Sequence, residues 1–334
     1  MPRLTGRGRT GSATRGSRNV GVQARSILGI SRVVSDLGRA EAFYRSVLGF
    51  KSVSRGRTDP EVLRALGSGC DANELKLRLG EEELVLVQFD SSGREYPRDS
   101  RSNDLWFQHL AIVVSNMDAA YSRLRSSAGW HPISTDGPET LPQTSGGVRA
   151  FKFRDPDGHP LELLWYPPRS AIPKWQERAR TAASDDPFIG IGHSALSVSS
   201  VRRSLAFYRS LGLHIAKQSV NRGAAQSRLD GLSAARVRVT SLRAAGSAGP
   251  GLELLAYRPP GRPRGSCSVT DLSTDWTTLS AVMAGSASDP MPAPPAPTGR
   301  VPAPTSLKKI AAMSDPDGHR FVLVSHGASL GRPA

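Results

Sequence analysis

The chain has 334 residues, of which 38% are hydrophobic, and its formal net charge is +15. That length is enough for two domains of ordinary size. No apolar run approaches the roughly 20 residues that a membrane-spanning helix needs, so we expect a soluble protein that does not bind a membrane.

Basic charge is concentrated at the start of the chain, where residues 1–26 hold six Arg and no acidic residue. The segment has no apolar period, so we predict a disordered basic tail, with an organellar transit peptide as the alternative. The remaining positive charge is dispersed and follows no nucleic-acid-binding motif, so no nucleic-acid partner is expected. Two cysteines without paired spacing, Cys70 and Cys267, are typical of a reducing compartment, and a cytoplasmic location is predicted.

The first predicted elements are a short strand at Leu28–Val34 and a helix within "AEAFYRSVLGF", residues 40–50, whose apolar residues have helical spacing. A second strand at Phe107–Val114 also precedes a helical pattern. Further strands follow each helix, and the last two are joined by Asp-Pro-Asp-Gly at residues 155–158. Proline presets φ in such a turn and glycine accepts a positive φ. Each unit therefore follows the plan βαβββ.

The chain then repeats itself. The segment "AEAFYRSVLGF" returns as "SLAFYRSLGL" at 204–213, and "DPDGHPLELLW" at 155–165 returns as "DPDGHRFVLVS" at 315–325. We predict two homologous halves, residues 27–166 and 189–326, each of two units. Residues 167–188 form the linker between them, and residues 327–334 form a tail.

The fourth unit departs from the plan. Residues 284–306, "AGSASDPMPAPPAPTGRVPAPTS", contain proline at a density that prevents an ordinary helix. We predict a proline-rich loop in place of the helix and the strand after it. The predicted fold class is α+β, with four βαβββ units forming two cupped mixed sheets and a degenerate fourth unit.

Four such units, "LAFYRSLGL" helices and "DPDGHPLELLW" endings resemble the vicinal oxygen chelate superfamily. That superfamily includes glyoxalase I, methylmalonyl-CoA epimerase, extradiol dioxygenases, and the fosfomycin- and bleomycin-resistance proteins. The resemblance implies two fused glyoxalase-like domains, in which two units pair into a cupped sheet around one divalent metal ion. It also implies that each unit offers one ligand from its first strand and another from its last.

Alignment of the repeats gives the candidate ligand positions. The first-strand positions are Gly29, His109, His193 and Trp276. The last-strand positions are Val85, Glu162, Glu253 and Val322. (Arg32 replaces Gly29 if the first strand has lost two residues.) Only units two and three keep both a His and a Glu.

Each of these residues also has a purely structural explanation: the histidines could be hydrogen-bonded core residues, and the glutamates could form structural salt bridges. Glu162 lies in "LELLWY", where apolar residues on both faces of a strand predict burial on both, and a buried carboxylate needs a partner or a metal. If units pair as one with two and three with four, each cup holds one His and one Glu. If units two and three pair, one cup holds His109, Glu162, His193 and Glu253. The length of the linker permits either arrangement, but only units two and three keep a His and a Glu, so we predict the second arrangement with one composite metal site.

The resemblance implies a metal-dependent lyase or isomerase that acts on a small carbonyl or enediol-forming substrate, with Glu162 or Glu253 as the base. An Fe(II)-dependent extradiol-type dioxygenase is the second reading, and a non-catalytic, resistance-type binder is the third. The ligand types accept Zn, Ni, Co, Mn or Fe. We expect a monomer or a homodimer.

The remaining histidines are assigned no role in the site. His159 and His319 are expected to face solvent in their turns, and His131, His214 and His326 lie at predicted strand ends.

Overall fold

The computed structural model of the chain describes residues 22–168, 172–183, 186–245, 249–283 and 309–325. The helices are α1 Leu37–Ser46, α2 Pro60–Ala65, α3 Met117–Arg125, α4 Pro173–Thr181, α5 Val201–Ser210 and α6 Ala224–Asp230, with a 3-10 turn at Gln143–Ser145. The strands of the first half are β1 Val22–Val33, β2 Lys51–Arg57, β3 Ala72–Leu79, β4 Glu82–Phe89, β5 Gln108–Val114, β6 His131–Pro132, β7 Glu139–Thr140, β8 Arg149–Arg154 and β9 Pro160–Trp165. Those of the second half are β10 Phe188–Ser197, β11 Leu213–Arg222, β12 Arg236–Ala244, β13 Gly251–Tyr257, β14 Asp275–Met283, β15 Lys309–Ser314 and β16 Arg320–Ser325.

These strands form two mixed sheets, each built from two units. The 1–4 sheet, from units one and four, has the order β15-β16-β14-β1-β4-β3-β2. The 2–3 sheet, from units two and three, has the order β11-β12-β13-β10-β5-β9-β8-β6, with β7 also paired to β8. The α+β class is confirmed, as is the pairing of unit two with unit three. Pairing of units one with two and three with four is wrong.

Strand register places the repeat positions in equivalent places. In the 2–3 sheet, His109 lies opposite Ala195 and His193 lies opposite Ala111 across the antiparallel β5–β10 pair. In the 1–4 sheet, Gly29 lies opposite Thr278 and Trp276 opposite Ser31 across β1–β14. The aligned first-strand positions are therefore structurally equivalent.

The last-strand positions match in the same way. Val85 lies beside Ser31 as Glu162 lies beside Ala111. The alternative position, Arg32, lies three residues beyond the matched position Gly29 and pairs with Asp275 and Leu86. Its buried guanidinium instead lies 2.9 Å from the carboxylate of Asp275.

The helices and the outward faces of the two sheets form the main hydrophobic cores. Helix α1 begins at the N-cap Asp36, whose carboxylate accepts a hydrogen bond from the Arg39 amide at 2.6 Å, and it buries Phe43 and Tyr44. One core joins units one and two, and a second joins units three and four. Since the sheets join two with three and one with four, the four units close into a ring.

The Asp-Pro-Asp-Gly-His turns lie at the unit one–two and three–four contacts. Asp155 accepts hydrogen bonds from the Tyr44 hydroxyl at 2.9 Å and from the His159 backbone amide, also at 2.9 Å. The Tyr208 hydroxyl donates to Asp315 in the same way at 2.8 Å. Each turn thus holds the helix of the preceding unit, and Gly158 and Gly318 adopt the positive φ that the turn requires.

The expectation that His159 and His319 face solvent is wrong, because both rings are buried within these turns. The His159 ring lies 3.0 Å from the carboxylate of Asp155, and that of His319 lies 2.9 Å from the Ser197 carbonyl oxygen. Burial opposes protonation of His159, but the charge of Asp155 leaves its pKa raised.

Two predicted boundaries also differ from the structure. Strand β1 begins at Val22, inside the predicted tail 1–26, because it pairs with β14 from Val22 onward and buries Ala24. The predicted linker 167–188 contains α4, whose Trp175 is buried, and the first residue of β10. The other domain boundaries stay predictions. The rest of the basic tail, the proline-rich loop and the tail 327–334 lie outside the described residues.

Among the described helices, none combines the length and apolar character needed to cross a bilayer.

Candidate metal centre

Four adjacent central strands of the 2–3 sheet supply the candidate ligands. The order β13-β10-β5-β9 puts Glu253, His193, His109 and Glu162 on neighbouring strands. Side chains on a strand alternate between faces, so the Leu neighbours of Glu162 pack into the core between units one and two while Glu162 itself faces the cup. The predicted burial of this strand on both faces is confirmed.

Three of the four side chains converge. His109, Glu162 and His193 each offer one ligand atom, and these atoms all lie within 4.8 Å of one another. Glu162 Oε2 is 3.3 Å from His109 Nε2 and 3.8 Å from His193 Nε2. Two histidines and one carboxylate form a ligand set common to catalytic metal sites with an open coordination position.

Glu253 stands at the edge of this group. Its Oε2 lies 3.5 Å from His193 Nε2, while its Oε1 accepts a hydrogen bond from the Ser241 hydroxyl at 2.6 Å. Its side chain is 21% exposed, compared with 8% for Glu162. Glu253 therefore lies beside the three converging ligands and opens toward the cup.

Electrostatics favour the protonation states that a metal ion needs. Burial lowers the pKa of His109, although the charge of Glu162 opposes this shift. Burial alone would raise the pKa of Glu162, but His109, Lys152 and His193 lower it to about 2. At neutral pH the site thus presents a neutral imidazole and an ionised carboxylate, the forms that bind metal.

The unsatisfied hydrogen-bonding capacity of His109 also supports a metal site. His109 is 2% exposed; its Nε2 lies 3.3 Å from Glu162 Oε2 without a well-aligned hydrogen bond, and its Nδ1 has no partner among the described residues. A buried polar atom without a partner is costly, and a metal ion at Nε2 would remove that cost for one of the two nitrogens. The side chains present therefore fit a divalent metal ion.

The group lies in a cavity of about 560 Å³ within the cup of the 2–3 sheet. Much of the wall is apolar, with Leu141, Leu164, Leu229, Val237 and Leu255 among its residues. Such a volume, mostly apolar with a few convergent polar groups, is typical of a small-molecule site.

Helix α6 helps to enclose this cavity, and sequence reasoning missed it. It belongs to unit three but bonds to unit two, since Arg228 Nε donates to Glu139 Oε1 at 2.6 Å and Ser102 Oγ donates to the Asp230 carbonyl oxygen at 2.8 Å. It places Asp230 against Lys152, another site residue that the sequence reading missed. The signal for Lys152 was a cation in the interior of the strand "RAFKFR", flanked by two buried Phe.

The other predicted positions lie away from this group. In the 1–4 sheet, Trp276 and Val322 belong to an apolar cluster that fills the cup. Leu63 of α2 and Leu66, which follows the helix, belong to the same cluster. His131 and His214 are exposed, and His326 lies outside the described residues.

Comparison with known proteins agrees with this fold. Residues 26–163 match the model of the Glyoxalase/Bleomycin resistance protein/Dioxygenase superfamily. Residues 26–163 are thus similar to a domain of this superfamily. The matched residues of the superfamily domain include His109 and Glu162 and end before His193 and Glu253. No curated protein sequence matches the chain significantly.

Solved structures extend the fold likeness over both halves. Glyoxalase I from Zea mays is 18% identical with a TM-score of 0.53, covering 92% of this chain and 94% of its own. A point mutant of that protein gives 17% identity and a TM-score of 0.57, with the same coverage of 92% and 94%. A putative dioxygenase from Bacillus subtilis subsp. subtilis str. 168 is 13% identical with a TM-score of 0.51, covering 91% of this chain and 86% of its own. At such identities the likeness shows the fold alone.

Proposed function

We propose that the chain binds one divalent metal ion through His109, Glu162 and His193 and catalyses a glyoxalase-like lyase or isomerase reaction on a small oxygenated substrate. The observation that carries this proposal is the convergence of three buried ligand atoms within 4.8 Å. A divalent ion bound there would supply Lewis-acid polarisation of a carbonyl or enediol oxygen. Zn, Ni, Co, Mn and Fe all suit such ligands.

The two glutamates take different roles in this proposal. Glu162 lies between two histidines and is kept ionised by three nearby basic groups, so it serves as a permanent ligand. Glu253 lies outside the three converging atoms and is held by the Ser241 hydroxyl. It is therefore free to accept a proton from one substrate carbon and return it to the next.

The test separates metal binding from proton transfer. Hydroxyacetone and dihydroxyacetone are incubated with zinc-loaded protein in D₂O, and loss of the C–H signal next to the carbonyl is followed by NMR. Glu253→Gln should keep the zinc and lower exchange about 10²- to 10⁴-fold. Glu162→Gln should lose the zinc itself. If zinc binds and the wild type exchanges neither probe faster than free zinc does, the catalytic proposal fails and the small-molecule binder is favoured.

One observation favours an Fe(II)-dependent extradiol-type dioxygenase as the second candidate. Glu253 is hydrogen-bonded to Ser241 and lies outside the three converging atoms, so two histidines and one carboxylate remain, the set used by many non-haem iron oxygenases. Oxygen uptake with Fe(II)-loaded protein and catechol tests this candidate. Uptake above the rate of His109→Ala would favour it over the isomerase. A cytoplasmic location and a monomeric or homodimeric state stay predictions.

A further inference from the structure

A second group of buried polar side chains lines the same cavity and takes no part in metal binding. Lys152, Gln226 and Tyr257 are each no more than 5% exposed. Lys152 is the cross-strand neighbour of Glu162, so this group adjoins the candidate metal centre. Asp230 at the end of α6 connects its members.

The contacts of Asp230 fix how these side chains point. The Lys152 ammonium donates to Asp230 Oδ1 at 2.7 Å, and Gln226 Nε2 donates to Asp230 Oδ2, also at 2.7 Å. A carboxylate accepts only from the NH₂ side of an amide, so the amide oxygen of Gln226 must point elsewhere.

Several polar atoms of this group remain without a hydrogen-bond partner among the residues that the structure describes. Within the described ranges, neither Gln226 Oε1 nor the Tyr257 hydroxyl has a hydrogen-bond partner. Burial raises the pKa of Tyr257 and the nearby charge of Asp230 raises it further, yet the two groups form no well-aligned hydrogen bond. The Lys152 ammonium carries three N–H groups, and its side chain makes one hydrogen bond in the described part of the chain.

We propose that Lys152, Tyr257 and Gln226 bind a hydroxyl group of an uncharged substrate, a proposal that shares its cavity with the proposed function. Lys152 and Tyr257 donate to the hydroxyl oxygen, and Gln226 Oε1 accepts its hydrogen. The apolar wall formed by Leu141, Leu229 and Leu255 receives the body of the molecule.

Charge selects against ionic ligands at this position. Asp230 already balances Lys152, so a carboxylate would be placed beside an ionised carboxylate without a free cation. A ligand ammonium group would be repelled by Lys152. A hydroxyl meets both donors and the acceptor without adding charge, so the substrate class is a neutral alcohol or phenol with an apolar body.

The test uses four matched probes of one size: benzyl alcohol, toluene, benzoate and benzylamine. Their dissociation constants are measured by ligand-observed NMR with the full chain, with and without one equivalent of zinc. Benzyl alcohol should bind at least about fivefold more tightly than each of the other three, also without zinc. Equal binding of toluene, or tighter binding of either ion, overturns the proposal.

Variants assign the preference to these residues. Tyr257→Phe, which removes a single oxygen, should lower the affinity for benzyl alcohol about three- to tenfold and leave that for toluene unchanged. Gln226→Met should do the same. The matched control is Tyr166→Phe, at the equivalent repeat position and in the same cavity wall. It should keep the preference, and an equal loss in this control contradicts the assignment.

Zinc titration of each variant distinguishes failure of this proposal from failure of the proposed function. Tyr257→Phe should bind zinc as the wild type does. If the wild type binds no zinc but keeps its preference for benzyl alcohol, the metal proposal fails and the hydroxyl subsite stands. If zinc binds but benzyl alcohol is not preferred, the hydroxyl subsite fails and the metal proposal stands.

Discussion

The 2–3 sheet and the 1–4 sheet share a backbone register but differ at the four candidate ligand positions of the repeat. His109, Glu162, His193 and Glu253 face one cup. Gly29, Val85, Trp276 and Val322 occupy the matching positions of the other sheet. The comparison teaches that the cupped sheet does not need the ligands to form.

What replaces the ligands is apolar packing. Trp276 and Val322 are at most 2% exposed, and the two Leu side chains from the region of α2 pack against the same cluster. In the 2–3 sheet the corresponding space is a cavity of about 560 Å³. Apolar side chains therefore fill the cup of the 1–4 sheet and stabilise the fold. The cup of the 2–3 sheet stays open and contains buried polar groups, whose loss of hydration lowers stability.

The largest expected effect comes from emptying the filled cup. Trp276→Ala should lower the free energy of unfolding by about 3–5 kcal/mol, because it removes the largest fully buried side chain of the described residues. Urea unfolding followed by circular dichroism measures this loss. The matched variant His193→Ala should cost less, because its side chain lines an open cavity. An equal cost would show that the two cups are packed alike.

A second effect depends on pH and concerns the turn that joins units one and two. Burial alone would raise the pKa of Asp155, but His159 and Arg32 lower it from 3.8 to about 2. This carboxylate therefore contributes stability that is complete above about pH 4 and is lost as the pH falls toward 2. The contribution is about 2 kcal/mol.

Metal-free wild type and Asp155→Asn are compared by urea unfolding between pH 5 and pH 2. In the wild type, His159 is protonated in the folded and the unfolded chain over this range, so it adds no pH dependence of its own. The gap between the two proteins should narrow as the pH falls. A constant gap would contradict the lowered pKa of Asp155.

The smallest expected effect compares the two helix tyrosines. The Tyr44 hydroxyl accepts from Arg32 and donates to Asp155, whereas that of Tyr208 donates to Asp315. Tyr44→Phe should therefore cost about 2 kcal/mol of unfolding free energy and Tyr208→Phe about 1 kcal/mol. Thermal or urea unfolding of both variants measures the difference. The reverse order would mean that Arg32 does not strengthen the first contact.

The sequence predicted the repeat plan and the pairing of equivalent positions, because both depend on local pattern. The two-residue period of a strand placed Glu162 on the face opposite its immediate Leu neighbours, and the retained His and Glu predicted that units two and three share one cup. The burial of His159 was not predictable in this way. A turn sequence specifies its own backbone, but not the Tyr44 side chain that covers it from another unit.

Long-range contacts also explain the site residues that were missed. Lys152 and Asp230 are far apart in sequence, and nothing local in "AAQSRLD" predicts that α6 reaches across the cup. The different surroundings of Glu162 and Glu253 could not be predicted either, because they also depend on long-range contacts. The repeat places Lys152 beside Glu162 and Ser241 beside Glu253, and the sequence alone does not show which of the two would stay with the histidines.

The central claim is that one open cup holds one metal ion, and zinc stoichiometry tests it most directly. Purified metal-free protein is titrated with zinc by isothermal calorimetry, and bound metal is counted by mass spectrometry. The wild type should bind one equivalent per chain, and His109→Ala and His193→Ala should each abolish it, while His214→Ala, at an exposed histidine of the same sheet, should bind normally. Two equivalents, independent partial losses, or an equal loss in His214→Ala would contradict the account.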